Sequence, residues 1–381
     1  MLLPALVFLA LIAFAGALLW SPLAGRAAYL HLMLAVGAMP LIFGAMSHFI
    51  PVLTRTRTAT ASIGVFPLLA LAGGAMAVAA FSLPSMAWAW RVGAVLALVV
   101  AIALWAWGLR RRAIMVGRPH PCLAWYEVAL ACLALALLAI LATAVWPHQF
   151  SALRRLHLHL NTLGFVGMTA TGTLAVLMPT VIGRPDPQAG QWLSFNLAWA
   201  VAGTLLVAVG SAWSAPLTWV GAALWTIPLV GMAARWLRLY QREILALHGA
   251  APLLAAALVG FALSIGLDAM STNAAAGGLA KPDPAKAFVA AFLLPLVSGA
   301  AGQLLPVWLR PGVQDEWHAA LRRSLGRYGG MRAVLFLIGG MTAGLGRGCG
   351  LLLSAATLLW FLVQAFMSLL QGINSQQGNE P

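Results

Sequence analysis

Residues 31–55 read HLMLAVGAMPLIFGAMSHFIPVLTR, and two later stretches share their pattern: HLNTLGFVGMTATGTLAVLMPTVIGR at 159–184 and KAFVAAFLLPLVSGAAGQLLPVWLR at 286–310. Counted from His31, His159 and Lys286, a glycine falls 13 residues on in all three (Gly44, Gly172, Gly299) and a proline falls 20 residues on (Pro51, Pro179, Pro306). A basic side chain stands five residues before each start, at Arg26, Arg154 and Lys281, and Arg55, Arg184 or Arg310 closes each stretch. Self-similarity at a fixed spacing marks an internal repeat, and the period here is about 127 residues. The chain is therefore expected to be a single transmembrane domain, 1–381, made of repeats 1–127, 128–254 and 255–381.

Each stretch is long enough to cross a bilayer, since 20 helical residues rise about 30 Å. Similar apolar runs continue on both sides. Of the 381 residues 62% are hydrophobic and 8% charged, against about a quarter charged in soluble domains, and the mean hydropathy is +0.93. Such a surplus exceeds what one core can bury, so much of the surface must meet lipid, which excludes a soluble enzyme, a disordered chain and a disulfide scaffold. The three cysteines, Cys122, Cys132 and Cys349, are too far apart for a disulfide framework or a zinc cluster.

Twelve spans are predicted, near 2–20, 28–54, 62–82, 87–109, 122–146, 156–182, 192–212, 215–234, 250–270, 286–309, 331–347 and 350–371. The fold expected is all-α: twelve transmembrane helices in three four-helix repeats, with pseudo-threefold symmetry about the membrane normal. The first run lacks a basic leader and is read as a span, not a signal peptide. The net charge of +14 fits membrane loops better than nucleic acid, because Lys and Arg collect on the cytoplasmic side of polytopic proteins. Arginines favour the loops after even-numbered spans, as at Arg110, Arg111, Arg112 and Arg118, or Arg235, Arg238 and Arg242. That bias predicts cytoplasmic termini in a bacterial-type inner membrane, with spans 2, 6 and 10 running from the outer face inward. The expected partners are membrane lipid and a redox protein, with no nucleic acid.

Ionisable or ligating side chains within a membrane are costly, so a function is their default reading. His31, His157 and His159 fall in the first turns of spans 2 and 6, and His48 near the inner end of span 2. Imidazole ligates haem iron and copper, and the thioether of Met33 suits Cu(I). His31 and His159 occupy equivalent positions, whereas His157 lies about 200° round the helix from His159, so those two cannot both face one centre. Arg26, Arg154 and Arg155 stand where guanidinium would bind cofactor propionates or lipid headgroups. Arg91 and Asp268 both fall toward the outer side, which suggests an ion pair, and Glu127 toward the inner side, which suggests a proton path. His120, His148, His248 and His318 sit in or beside loops. The shared glycines read as helix-packing positions. No P-loop, GxSxG, CxxC or HExxH motif occurs.

Spans grouped by four, with histidines near the starts of spans 2 and 6, resemble subunit I of the haem-copper oxidases and nitric oxide reductases. The pattern His157-Leu158-His159, then Gly164-Phe165, Gly172 and Pro179, is similar to NnrS, a family of haem- and copper-containing membrane proteins associated with nitric oxide stress. The resemblance implies a haem- and/or copper-binding membrane protein in redox or nitric oxide handling. It also sets a limit, because spans 7 and 10 carry no histidine and spans 6 and 7 no tyrosine, while Leu32 and Leu160 stand where NnrS has an acidic residue. An oxidoreductase-like scaffold without the full set of oxidase histidines is the expectation. The alternative is a cofactor-free transporter or channel, for which Pro40 and Pro295 would interrupt helices near the midplane.

Overall fold

The computed structural model describes residues 2–271 and 282–377; Lys281 lies outside them. All regular structure among the described residues is helical. We number the helices α1 Leu2–Trp20, α2 Arg26–Thr54, α3 Ala61–Ser82, α4 Ala89–Ile114, α5 Cys122–Ala144, α6 Pro147–Ile182, α7 Ala189–Trp213, α8 Ala215–Ile244, α9 Ala251–Ser271 and α10 Pro284–Leu309. The remainder are α11 Glu316–Leu325, α12 Gly329–Gly344 and α13 Cys349–Gln377.

Eleven helices among the described residues are long and apolar enough to cross a membrane. The eleventh expected span, 331–347, corresponds to α12, which has 16 residues and so rises only about 24 Å. Its end is set by the glycine-rich turn at Gly344–Gly350, where Gly346 has a positive φ of 83°. The short α11 is amphipathic, with Arg322 and Arg323 in its last turn, and was not anticipated.

The shared glycines are contact points. A Cβ added at Gly44 would meet Leu6 of α1 at 2.7 Å, one at Gly172 would meet Trp125 of α5 at 2.8 Å, and one at Gly299 would meet Leu253 of α9 at 3.0 Å. Each stretch therefore packs through its glycine on the helix before it, as close-packed membrane helices require. A second set joins later helices: Gly73 against Gly93 between α3 and α4, Gly203 against Gly221 between α7 and α8, and Gly339 against Gly350 between α12 and α13. Helix α4 packs on α5, α8 on α9, and α13 returns to α1, so the bundle closes on itself.

Helices α2, α6 and α10 each contain a π-helical segment, at Leu32–Ala38, Leu160–Gly167 and Phe288–Leu293. The wide turns close through i→i−5 bonds from Met39 N–H to Leu34 O, Met168 N–H to Leu163 O, and Leu294 N–H to Val289 O. In α2 and α10 the next residue is a proline, Pro40 or Pro295. Proline has no N–H, and its ring crowds the carbonyl four residues back, so a widened turn before it relieves the conflict. In α6, which has no proline there, Asn161 Nδ2 donates to His157 O (2.8 Å) and Thr162 Oγ1 to Leu158 O (2.9 Å). These side chains satisfy carbonyls within the first turns of the stretch.

Candidate functional site

At the end of the bundle where α2 and α6 begin lies a cavity of about 1050 Å³, at the upper end of ligand-site volumes. It runs down α2 from Arg26 to Met39, about 20 Å of helix. The deep part is walled by small and apolar residues such as Gly73, Ala77, Ala97 and Phe165, while the polar groups gather at the mouth.

His31 of α2 and His157 of α6 meet across this cavity. Their ring centroids are 6.4 Å apart and their planes differ by 13°. His31 Nδ1 donates to Ala27 O (2.7 Å) and His157 Nδ1 to Ala136 O of α5 (2.9 Å). A carbonyl only accepts, so both rings carry their proton on Nδ1 and keep a lone pair on Nε2. Among the described residues His31 Nε2 has no hydrogen-bond partner. The Asn161 amide lies 3.3 Å from His157 Nδ1 and 3.5 Å from its Nε2. Phe81 of α3 packs 4.7 Å from the His31 ring and limits its rotation.

His159 also lines this cavity but is bonded to other elements. Its Nε2 is 2.9 Å from Asp268 Oδ2 of α9, and its Nδ1 donates to Arg155 O (2.8 Å). Ser211 Oγ of α7 sits 2.9 Å from the same Nδ1 and donates to Ala208 O (3.0 Å). Ser211, His159 and Asp268 thus stand in the order of a hydrolytic triad, but Nδ1 already donates to a carbonyl and the serine proton is spent within its own helix. The arrangement cannot take a proton from Ser211. It ties α6 to α7 and α9, with His159 buried.

The suggested Arg91–Asp268 pair is not formed. Asp268 is taken by His159, and Arg91 lies exposed over Trp90, 5.4 Å from the ring centroid. Arg26 pairs with Asp283 Oδ1 (2.8 Å), whose Oδ2 also faces Lys286 Nζ (3.4 Å). Arg154 lies over Phe150, and Arg155 Nη2 donates to Ala212 O (3.3 Å); neither forms a salt bridge among the described residues. Met33 is buried in the helix core, and His48 is exposed beside Phe49 and Trp308, away from the cavity. Glu127 is held by Arg112 at 2.5 Å near the other end of the bundle, its second oxygen buried without a partner. Three of the four loop histidines have structural partners: His120 accepts from Cys122 N–H (3.2 Å), His248 from Tyr328 N–H (3.0 Å), and His318 caps α11 with Asp315. Burial pulls the His120 pKa below its ordinary value.

Two imidazoles that share one metal, each nitrogen at about 2.1 Å from it and about 1.2 Å from its ring centre, have centroids at most about 6.5 Å apart. The observed 6.4 Å falls at that limit. Anchoring of Nδ1 on a carbonyl is also how ligating histidines are oriented. Only a linear arrangement about one metal reaches that separation, and no group of three or more His, Cys, Asp or Glu side chains that could hold a metal occurs among the described residues. Comparison with protein-family models, curated proteins and solved structures finds no match to this chain.

Sequence reasoning took His31 with His159 because they are equivalent in the repeat. It missed the facing of His31 and His157, along with Asn161, Ser211 and Asp283. Those three are polar residues in or beside apolar spans, which was the available signal.

Proposed function

We propose that this membrane protein holds one redox metal, as haem iron or as copper, between His31 and His157. The observation that carries the reading is the pair itself: two imidazoles from different helices, each anchored through Nδ1, face one another across a cavity at a separation one metal can bridge. Bound there, the metal would supply one-electron chemistry. The protein's part is to fix both rings, to keep the deep wall apolar, and to offer Arg154 and Arg155 at the mouth to carboxylates of a macrocycle or to lipid headgroups. Met33 and His48 lie too far from the cavity lining to join the ligand set. The resemblance to NnrS makes redox or nitric oxide handling the proposed setting, at the outer face of a bacterial-type inner membrane.

The cofactor-free transporter is the weaker reading, because Pro40 and Pro295 are buried between packed helices and do not line the cavity. We also read the chain as three four-helix repeats about a pseudo-threefold axis. Supporting this are the matched glycine contacts, the three π-helical segments, and the packing of each repeat's last helix on the first helix of the next, α13 on α1 included.

Protein purified in mild detergent from cells supplied with haem and copper should contain about one equivalent of haem or copper per chain. His31→Ala and His157→Ala should each lower that content at least about tenfold, the scale of a lost ligand, while His159→Ala should leave most of it. A metal-free and haem-free wild-type preparation would refute the reading.

A further inference from the structure

We infer that the π turns of α2 and α6 are register devices: one extra residue in each helix aims His31 and His157 at each other. The inference builds on the proposed metal site but concerns the geometry that precedes any metal. Both histidines lie just N-terminal to a wide turn, His31 directly before Leu32–Ala38 and His157 three residues before Leu160–Gly167. The rest of each helix is pinned to its neighbours beyond the turn. Gly44 is set against Leu6, Gly172 against Trp125, and the Ala35 carbonyl inside the α2 turn abuts Gly74 of α3.

A π turn holds one residue more than an α turn, and each α-helical residue advances about 100°. Relative to an unbroken α-helix anchored at Gly44, the turn thus rotates His31 by about 100°. With an imidazole about 5–6 Å from the helix axis, that rotation moves the ring about 8–9 Å. Without it, the His31 ring would leave its place 6.4 Å from the His157 ring. The third π turn, in α10, follows Lys286, which is engaged with Asp283 and belongs to no such pair. Its aim is not needed for the pair.

Deleting Leu34 shortens the α2 turn by one residue, and Leu34→Ala removes nearly the same side chain at constant length. The readout is cross-linking by a short bifunctional thiol reagent of a His31→Cys, His157→Cys pair, in full-length protein carrying Cys122→Ala, Cys132→Ala and Cys349→Ala. Cross-linking needs no metal, so a metal-free wild type would sink the proposed function without touching this result. The parent pair and its Leu34→Ala form should cross-link alike, and the Leu34 deletion should lose at least about tenfold in yield. The Leu163 deletion in α6, compared with Leu163→Ala, should do the same from the opposite helix. Deletions that cross-link like the parent, or alanine variants that lose as much as the deletions, would overturn the inference. So would aggregation of both deletion variants with both alanine variants folded, since the extra residue would then serve folding and not aim.

Discussion

Gly74→Ala tests the packing that fixes the site, because α3 crosses α2 there at the level of the π turn. A Cβ on Gly74 would collide with the Ala35 carbonyl oxygen, stand 2.5 Å from Ala35 C and 3.1 Å from Val36 N. All three are backbone atoms, so no side-chain rotation relieves the contact and the helices must part by about 1 Å. Overpacking of this kind costs about 1–3 kcal/mol, and rigid backbone on both sides puts it at the upper end. Alanine regains about 1 kcal/mol of helix propensity over glycine, which leaves a net loss of about 2 kcal/mol. Gly16 is the matched control: it is helical, and nothing lies within 4 Å of its added Cβ. Gly16→Ala should therefore stabilise by up to about 1 kcal/mol. Thermal unfolding in one detergent should move the two variants in opposite directions, Gly74→Ala down and Gly16→Ala up. Shifts of the same sign and size would refute the claim that backbone contact at Ala35 sets the approach of α3 to α2.

Asp268→Ala removes the partner of His159 and should cost about 2 kcal/mol, as for a hydrogen bond to a charged group, with metal content falling less than in His157→Ala; thermal unfolding and metal analysis would check both. Arg332 is fully buried, with Nη2 donating to Leu325 O (2.6 Å), its charge over Phe361, and Nε and Nη1 without partners. Arg332→Met should thus be neutral or stabilising by about 1–2 kcal/mol in the same assay, since well-packed apolar replacements of buried charges often are. At α11, hydrogen bonds from His318 hold the Asp315 carboxyl below its ordinary value of 3.8. Its cap is then complete above that value and is lost as the pH falls through the lowered one; amide exchange across α11 should accelerate there, and Asp315→Asn should remove the pH dependence.

The helical class and most of the spans were legible because apolar runs of membrane length are a strong signal, and the 13- and 20-residue spacings located three helices that each carry a π turn. The shared glycines proved to be contact points for the same reason they could be read: small residues are what helices need to approach closely. The site was only half legible. Equivalence within the repeat pointed to His31 with His159, yet a repeat constrains the backbone, and partners are chosen by the surroundings. The neighbours of α6 include Asp268 and Ser211, which capture His159 and leave its neighbour two residues back to face His31.

Helix periodicity could not have corrected this, because the rotation that aims the rings arises at the π turns. Those turns leave almost no trace in an apolar sequence. In a soluble helix, one extra residue would shift a hydrophobic stripe by 100° and break its pattern. Here α2 reads LMLAVGAMPLIFGAM through the turn, apolar all round, so there is no stripe to break. Pro40 and Pro295 are visible one residue beyond the closing bond, but α6 makes the same turn with Asn161, Thr162 and two glycines. Proline is thus not necessary for the wide turn. What recurs in α2 and α6 is a polar or ligating side chain just ahead of the turn, fixed by a nearby carbonyl. A histidine placed in that position inherits its direction from the bulge, and the site proposed at this end of the bundle depends on a residue count that only the folded backbone reveals.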